Sequence, residues 1–198
     1  MRHRDLFATW FIAKDDADPE EIEAWCRAAA SDPNVTVHVQ ESLGGRGRLA
    51  SGRGALVAAD RTRGFEAPAG DWWAEHYDAA LELRNTNEPE IPAEPADTPY
   101  MLVTRTYVPD AMRDEFRRWL EVEHSQVQLN VPGNNWYLGY EETGERHSFV
   151  NFWGLDAPDI PEGDAWDHMR LTEWRERMVP AMGGMDRGIY RTVRPEGR

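Results

Sequence analysis

The chain has little of what would place it in several large protein classes. It contains one cysteine, Cys26, in 198 residues, so it has no intramolecular disulfide and no plausible cysteine-based zinc site. No run approaches about 18 consecutive apolar residues. The opening residues, MRHRDLFATWFIAKDD, lack the apolar core of a signal peptide. We therefore expect a cytoplasmic protein that does not enter a membrane.

Positive charge is also scarce. Lysine and arginine number 22 against 36 acidic residues, which gives a formal net charge of −14. Nucleic acids and anionic membranes are themselves negative, so a general role on either is disfavoured. Tryptophan, by contrast, is abundant: the chain has nine, within an aromatic fraction of 11%. These rings indicate either a tryptophan-rich core or an aromatic-lined cavity for a flat organic molecule.

The first part of the chain predicts five elements from its hydrophobic periodicity and helix caps. They are a strand, a helix, two strands and a second helix, at residues 6–14, 18–34, 35–42, 54–60 and 70–83. Asp71 is predicted to cap the second helix, in which Trp73, His76 and Tyr77 share a stripe typical of core packing. A closing strand has room only at 81–87.

A linker and a second series of elements follow. Residues 87–99 carry four prolines and four acids, a composition typical of linkers. The next elements are a strand, a helix capped by Asp110, two strands of a hairpin, a helix capped by Asp164 and a final strand, at 100–108, 109–124, 135–142, 146–154, 163–179 and 187–194. The order is that of a ferredoxin-like unit. We predict an α+β chain of two tandem β-α-β-β-α-β repeats, 1–86 and 100–198, packed sheet to sheet around a cavity.

Strand alternation nominates residues for that cavity. On 146–154 one face carries His147, Phe149, Asn151 and Trp153, a mixture that suits a ligand better than a helix-packing core. The other strands add further candidates on single faces, namely Arg105, Trp136, Tyr140 and His38. A merely solvent-exposed sheet would explain the polar members of this set equally well.

His124 is the most specific candidate. It is predicted to stand just past the last turn of helix 109–124, before a Pro-Gly turn. When the first helices of the two repeats are aligned on Trp25 and Trp119, the residue equivalent to His124 is Ala30, and only the second repeat has the longer loop SQVQLN. A structural cap would occur about equally in both repeats. The asymmetry favours a specific task for His124.

The stretch FRRWLEVEHSQVQLNVPGNNWYLGY, residues 116–140, resembles the EthD-like group of the dimeric α/β-barrel superfamily. The matching positions are Trp119, His124, Pro132, Gly133 and Tyr140. The resemblance implies a dimeric α/β-barrel-type fold, a small aromatic ligand in the sheet cavity and a histidine that transfers protons. It also makes a homodimer the expected assembly, although most relatives carry one repeat and this chain carries two.

Three functions stay open on this reading. The first is a cofactor-independent lyase or isomerase acting on a small aromatic or polyketide-like metabolite. His124 would be its acid/base, because imidazole titrates near neutrality. His147 is the second candidate catalytic residue, and Arg105, Trp136, Tyr140, Asn151, Trp153 and His38 are the candidates for binding the substrate. The alternatives are a cofactor-free monooxygenase and a haem or hydrophobic-metabolite binding protein. No spacing indicates a metal site.

One further segment is unusual. Residues 44–54, GGRGRLASGRG, hold five glycines and three arginines. They predict a mobile loop in a hairpin connection, with an anion-binding lid over the cavity as the alternative.

Overall fold

The computed structural model describes most of the second part of the chain and the strands of the first. Residues 98–142 and 148–193 are described, as are strands at 6–13, 36–46, 53–60 and 72–84 and helical residues Glu20, Ala24, Trp25, Arg27 and Ala28. For those four strands the structure gives the backbone path, with side chains at 41–45 only. The predicted linker 87–99 lies outside the described residues except at its last two positions.

Eight antiparallel strands close into one barrel. In chain order they are β1 Leu6–Ala13, β2 Thr36–Arg46, β3 Arg53–Asp60, β4 Trp72–Arg84, β5 Tyr100–Tyr107, β6 Asn134–Glu142, β7 Ser148–Leu155 and β8 Gly184–Val193. Around the barrel the order is β1-β3-β2-β8-β5-β7-β6-β4. A closed sheet leaves no unpaired edge.

Both parts of the chain contribute four strands in the same spatial order. The first gives β4-β1-β3-β2 and the second gives the equivalent β8-β5-β7-β6. The two sets join edge to edge, where β2 pairs with β8 from Val39↔Val193 and β4 pairs with β6 from Tyr77↔Glu142. The predicted α+β, ferredoxin-like class of the dimeric α/β-barrel type is confirmed. One chain supplies all eight strands.

The predicted helix at 70–83 is wrong. This segment is β4, a 13-residue strand that pairs with β1 on one side and β6 on the other. A helix there would leave those two strands with open edges, whereas a strand satisfies both rows of backbone groups. The segment opens with two tryptophans, which favour strands, so tertiary pairing overrides its helical spacing. The first repeat therefore closes at 72–84, earlier than the predicted 81–87.

The helical run after β5 is longer than predicted. It comprises a 3₁₀ turn, α1, a π-helical turn and α2, at Asp110–Met112, Arg113–Trp119, Leu120–His124 and Ser125–Gln128. His124 was predicted to lie past the last turn, and it lies inside the run instead. Asp110 is not the cap, because Pro109 occupies that position without a side-chain hydrogen bond.

The predicted helix at 163–179 is two helices. They are α3, Asp164–Met169, and α4, Glu173–Met178, separated by three residues that include Thr172. Gly163 precedes α3 in extended conformation, so the predicted cap Asp164 is wrong. Thr172 interrupts the helix because its hydroxyl accepts the backbone N–H of Arg175 at 3.2 Å and caps α4.

The helices pack on the outer face of the barrel. Leu102, Tyr137, Trp153 and Leu155 join helix and loop residues in one buried cluster, and Phe149 joins Phe116, Trp119 and Leu120 in a second. The opposite, inward face of the same strands carries buried Met101, Val103, Arg105, Trp136 and Phe152. No helix within the described ranges is long and apolar enough to cross a membrane.

Candidate functional site

His124 occupies the last position of the π-helical turn. The backbone N–H of Ser125 donates to the carbonyl of Leu120, five residues earlier, and the Ser125 hydroxyl donates to the same oxygen. The side chain of Gln126 donates to the carbonyl of Glu121 at 3.4 Å. Each of these bonds spans five residues, so the serine and glutamine stabilise the wide turn. Single π-helical turns inside helices occur frequently at functional sites.

The imidazole of His124 lies between two indoles. Its ring stacks on Trp119 at a centroid distance of 4.2 Å and 21° between planes. Trp153 meets it edge-on at 5.7 Å and 85°. Trp153 in turn contacts Trp166 of α3 at 5.7 Å. The histidine is thus held at a defined position by rings from a helix and from β7.

A cavity of about 290 Å³ lies beside His124, between the outer face of the barrel and the helices. This volume is close to the lower end of the range of about 300–1,000 Å³ for small-molecule sites. Its lining mixes rings with a few polar side chains and includes Thr104, Phe116, Trp119, Asn151, Trp153 and Trp166. Val179 and Met185 also line it and are 41% and 37% exposed, which gives the entrance an apolar rim.

Asn151 lines this cavity and is hydrogen-bonded through both ends of its amide. Its Oδ1 accepts a hydrogen bond of 2.7 Å from the hydroxyl of Tyr137, and its Nδ2 donates to Thr104 Oγ1 at 3.3 Å. Burial raises the pKa of Tyr137, with a smaller effect from Glu121, so the phenol stays protonated and remains a donor. The amide group has two N–H donors, so among the described residues one of them remains for a ligand.

The charge of His124 differs from the sequence expectation. We expected an imidazole that titrates near neutrality. Burial, together with smaller contributions from the charges of Arg175 and Arg170, lowers the pKa of His124 to about 3. The imidazole is therefore neutral at pH 7, with roughly 10⁻⁴ of it protonated. It can accept a proton but holds none to donate in the free protein.

Three arginines, at positions 170, 175 and 187, also line the cavity. Arg170 follows α3, Arg175 lies in the first turn of α4, and Arg187 belongs to β8. We did not predict them from the sequence. Arg170 and Arg175 are separated by the break between two helices that the pattern merged into one. The alternation of inward and outward residues along β8 was the only sequence signal for any of the three arginines, and it concerned Arg187 alone.

The structure divides the predicted site residues into three groups. His124, Asn151 and Trp153 come together at the cavity. Arg105 and Trp136 lie on the inward face of β5 and β6, away from it, because strand alternation sends them to the other side of the sheet. The expectation that all of them share one cavity is wrong, because Arg105 and Asn151 lie on opposite faces of the sheet. That Arg105 and Trp136 line a cavity inside the barrel stays a prediction. His147 and the side chains of Tyr140 and His38 lie outside the described residues.

Two other features bear on the predicted chemistry. No group of three or more His, Cys, Asp or Glu side chains within the described part of the chain could hold a metal ion. The Gly/Arg-rich segment joins two paired strands, since β2 runs to Arg46 and β3 starts at Arg53. The residues between these strands lie outside the described ranges, so its role as a lid stays a prediction.

Comparison with known proteins gives the fold. No protein-family profile and no curated protein matches the chain. Among solved structures it is similar to an anthrone oxidase-like protein (TM-score 0.64, 15% identity), covering 96% of this chain and 91% of that one. It is also similar to a ferredoxin-fold protein from Listeria monocytogenes related to antibiotic biosynthesis monooxygenases (TM-score 0.55, 8% identity), covering 97% of both chains. A third similar structure is a heme-degrading enzyme from Listeria monocytogenes (TM-score 0.53, 11% identity), covering 95% of this chain and 99% of that one.

These similarities support the ferredoxin-like fold and leave the EthD-like assignment unconfirmed. Each match covers more than nine-tenths of both chains.

Proposed function

We propose that the protein is an enzyme that oxidises a small electron-rich aromatic molecule with molecular oxygen, without a bound cofactor. The observation that carries this proposal is the position of His124. It is a neutral proton acceptor fixed between Trp119 and Trp153 at the wall of a cavity rich in aromatic side chains. Cofactor-free oxidation needs a proton acceptor beside the substrate, because the substrate carbanion itself reacts with oxygen. A negative charge on the bound substrate would raise the low pKa of His124 toward the range in which imidazole is an effective base.

The similarity to an anthrone oxidase-like protein and to a monooxygenase-related protein supports oxidation over lyase or isomerase chemistry and over simple ligand binding. The isomerase or lyase chemistry that we expected from the sequence uses the same base. No contact and no comparison favours it.

The residues would divide the work as follows. The substrate ring would lie against Trp153, and Asn151 Nδ2 would donate a hydrogen bond to the oxygen atom attached to that ring. His124 removes a proton from an activated CH₂ group. The carbanion passes one electron to O₂ and the two radicals combine to a peroxide anion. The imidazolium of His124 returns its proton to give a hydroperoxide, and loss of water leaves a carbonyl. The net change is CH₂ + O₂ → C=O + H₂O, and the histidine returns to its neutral form.

Haem binding is a second candidate. A neutral imidazole is the form that ligates iron, and one structural neighbour is a heme-degrading enzyme. The cavity does not fit it, however. A planar tetrapyrrole is far larger than the two- or three-ring molecule that about 290 Å³ admits.

Oxygen consumption tests the proposal. Purified protein would be supplied with anthrone, hydroxynaphthalenes and simple phenols in an oxygen electrode, with and without a chelator. Removal of the base in His124→Ala should lower the turnover number about 10²- to 10⁴-fold with little change in ligand affinity. His168→Ala is the matched control, because His168 is an exposed histidine on α3 that does not line the cavity.

Two results would overturn the proposal. Equal rates for wild type and His124→Ala would remove the histidine from the chemistry. A hemin titration with a shifted Soret band that His124→Ala abolishes would replace oxidation by haem binding.

A further inference from the structure

The cavity beside His124 contains more positive charge than its own walls balance. Of the described residues that line it, three are arginines and none is Asp or Glu. This is unexpected in a chain whose formal net charge is −14. The excess of positive charge is therefore local to the cavity.

Two of the three arginines have acidic partners that point away from the cavity. Arg187 Nη2 lies 2.7 Å from Glu162 Oε1 and 3.5 Å from the carbonyl of Pro161. Arg170 pairs with Asp167, one turn earlier on α3. Both carboxylates are well exposed, at 68% and 64%, so water screens these two ion pairs.

Arg175 differs from the other two. Within the described part of the chain its guanidinium takes part in no ion pair and no hydrogen bond, although its backbone N–H is bonded to Thr172. Burial lowers the pKa of Arg175, and repulsion from Arg170 lowers it further, against smaller opposing effects of Asp167 and Glu176. A partly buried guanidinium next to a second one is an unfavourable arrangement unless an anion joins them.

The same two arginines act on His124, whose pKa they lower. A negative charge bound beside these two arginines would raise the pKa of both Arg175 and His124. A carboxylate placed between Arg175 and Arg170 would accept charge-assisted hydrogen bonds from planar guanidinium groups, the geometry that arginine provides best.

We propose that the ligand of this cavity is an aromatic carboxylate, with its carboxylate bound by Arg175 and Arg170 and its rings against Trp153 and Trp166. The inference rests on the proposed function only in taking this cavity as the substrate site. It adds a substrate class, an aromatic acid, and gives Arg175 the role of specificity residue.

Binding of a matched pair of probes tests the inference. The probes are 2-naphthoate and its neutral isostere 2-naphthamide, titrated by quenching of tryptophan fluorescence. One charge-assisted interaction predicts that naphthoate binds about 10- to 100-fold more tightly than the amide. Arg175→Gln should abolish this preference by weakening the binding of naphthoate and leaving that of naphthamide unchanged. Arg175→Lys, which keeps the charge, should retain part of it.

Arg177→Gln is the control, because Arg177 is an exposed arginine on the same helix that does not line this cavity. It should bind both probes as wild type does. 2-Naphthol, titrated at pH 7 and above its own pKa, separates a phenolate from a carboxylate. Tighter binding of naphtholate than of naphthoate would assign the arginines to phenolates and overturn the carboxylate assignment.

Equal affinity of wild type for naphthoate and naphthamide would overturn the inference, as would an unchanged preference in Arg175→Gln. These outcomes are independent of turnover. An Arg175-dependent preference without oxygen uptake by any substrate would leave the inference standing and remove the proposed oxidation. Oxygen uptake that depends on His124 and is faster with neutral substrates would leave the proposed oxidation standing and overturn the inference.

Discussion

Trp119 and His124 are five residues apart in the chain and stack with their ring centroids 4.2 Å apart. The spacing and the contact are linked by the π-helical turn Leu120–His124. In an α-helix the side chains that share a face are three or four residues apart, and a fifth residue points elsewhere. The wider turn brings the imidazole back over the indole. His124 therefore faces the cavity because of a local change in backbone hydrogen bonding.

Glu123 is expected to stabilise the link between this turn and the arginine-bearing helix α4. Its Oε1 accepts the indole N–H of Trp119 at 3.1 Å and the hydroxyl of Thr172 at 2.7 Å. Glu123→Ala leaves both donors without this acceptor, so the free energy of unfolding should fall by about 1–3 kcal/mol in urea titrations.

The matched control is Glu115→Ala, since Glu115 is an exposed acid on α1. Its unfolding curve should overlay that of wild type. An equal loss of stability in both variants would mean that overall charge, and not the two hydrogen bonds, explains the effect.

Gly139 is predicted to be required for the orientation of Asn151. A Cβ atom at this position would lie 2.5 Å from the hydroxyl oxygen of Tyr137, which donates to Asn151. Gly139→Ala should displace the phenol, lower the free energy of unfolding by about 1–3 kcal/mol and weaken ligand binding. Thermal unfolding and naphthoate titration measure the two effects.

Gly183→Ala serves for comparison, because a Cβ there meets its nearest atoms at 3.6 Å, an ordinary contact. Tyr137→Phe should reproduce the loss of binding without the steric clash. Wild-type affinity in both Gly139→Ala and Tyr137→Phe would show that the Tyr137–Asn151 bond does not matter to the ligand.

The lowered pKa of His124 predicts a pH dependence of stability. In the unfolded chain an imidazole titrates at about 6.5, whereas in the folded protein the pKa of His124 is about 3. Above pH 6.5 both states are neutral, and the histidine has no effect. As the pH falls from about 6.5 toward 3, only the unfolded state binds the proton. The free energy of unfolding should then fall by up to about 1.4 kcal/mol per pH unit.

The measurement is urea unfolding of wild type and His124→Gln at several pH values from 7.5 to 4.5. Carboxylates titrate in both proteins, so the difference between them isolates the histidine. Wild type should lose stability faster than His124→Gln on acidification, and His168→Gln should follow wild type. Parallel profiles for wild type and His124→Gln would show that His124 can be protonated in the folded state.

Two glutamates test how burial sets the strength of an ion pair. Glu141 on β6 is 15% exposed and pairs with Arg113 and with Arg117, the latter at 2.8 Å. Glu41 on β2 pairs with Arg191 across the β2–β8 junction and is 32% exposed. Glu141→Gln should lower the free energy of unfolding by about 1 kcal/mol. Glu41→Gln should leave it unchanged within error, because water screens exposed pairs.

Thermal unfolding of the two variants provides the comparison. A larger loss in Glu41→Gln than in Glu141→Gln would indicate that the junction between the two four-strand sets depends on this surface pair. In that case the backbone pairing of β2 with β8 would contribute less to closure than its seven residue pairs suggest.

The sequence by itself determined the repeated order of elements and the existence of most strands. Alternating patterns located β5, β6 and β7 to within a residue or two, since period-2 burial is a local property that each strand carries in its own residues. It also indicated His124, through its absence from the first repeat and through a resemblance over residues 116–140.

Tertiary structure alone decided three other matters. Residues 72–84 became a strand because two neighbouring edges needed a partner, which no local pattern records. Alternation also does not determine which face of a strand meets the helices. We therefore assigned Asn151 and Arg105 to one cavity, whereas they lie on opposite sides of the sheet. The charge state of His124 depends on burial and on Arg170 and Arg175, 46 and 51 residues further along the chain. Such long-range electrostatic effects exist only once the helices have packed.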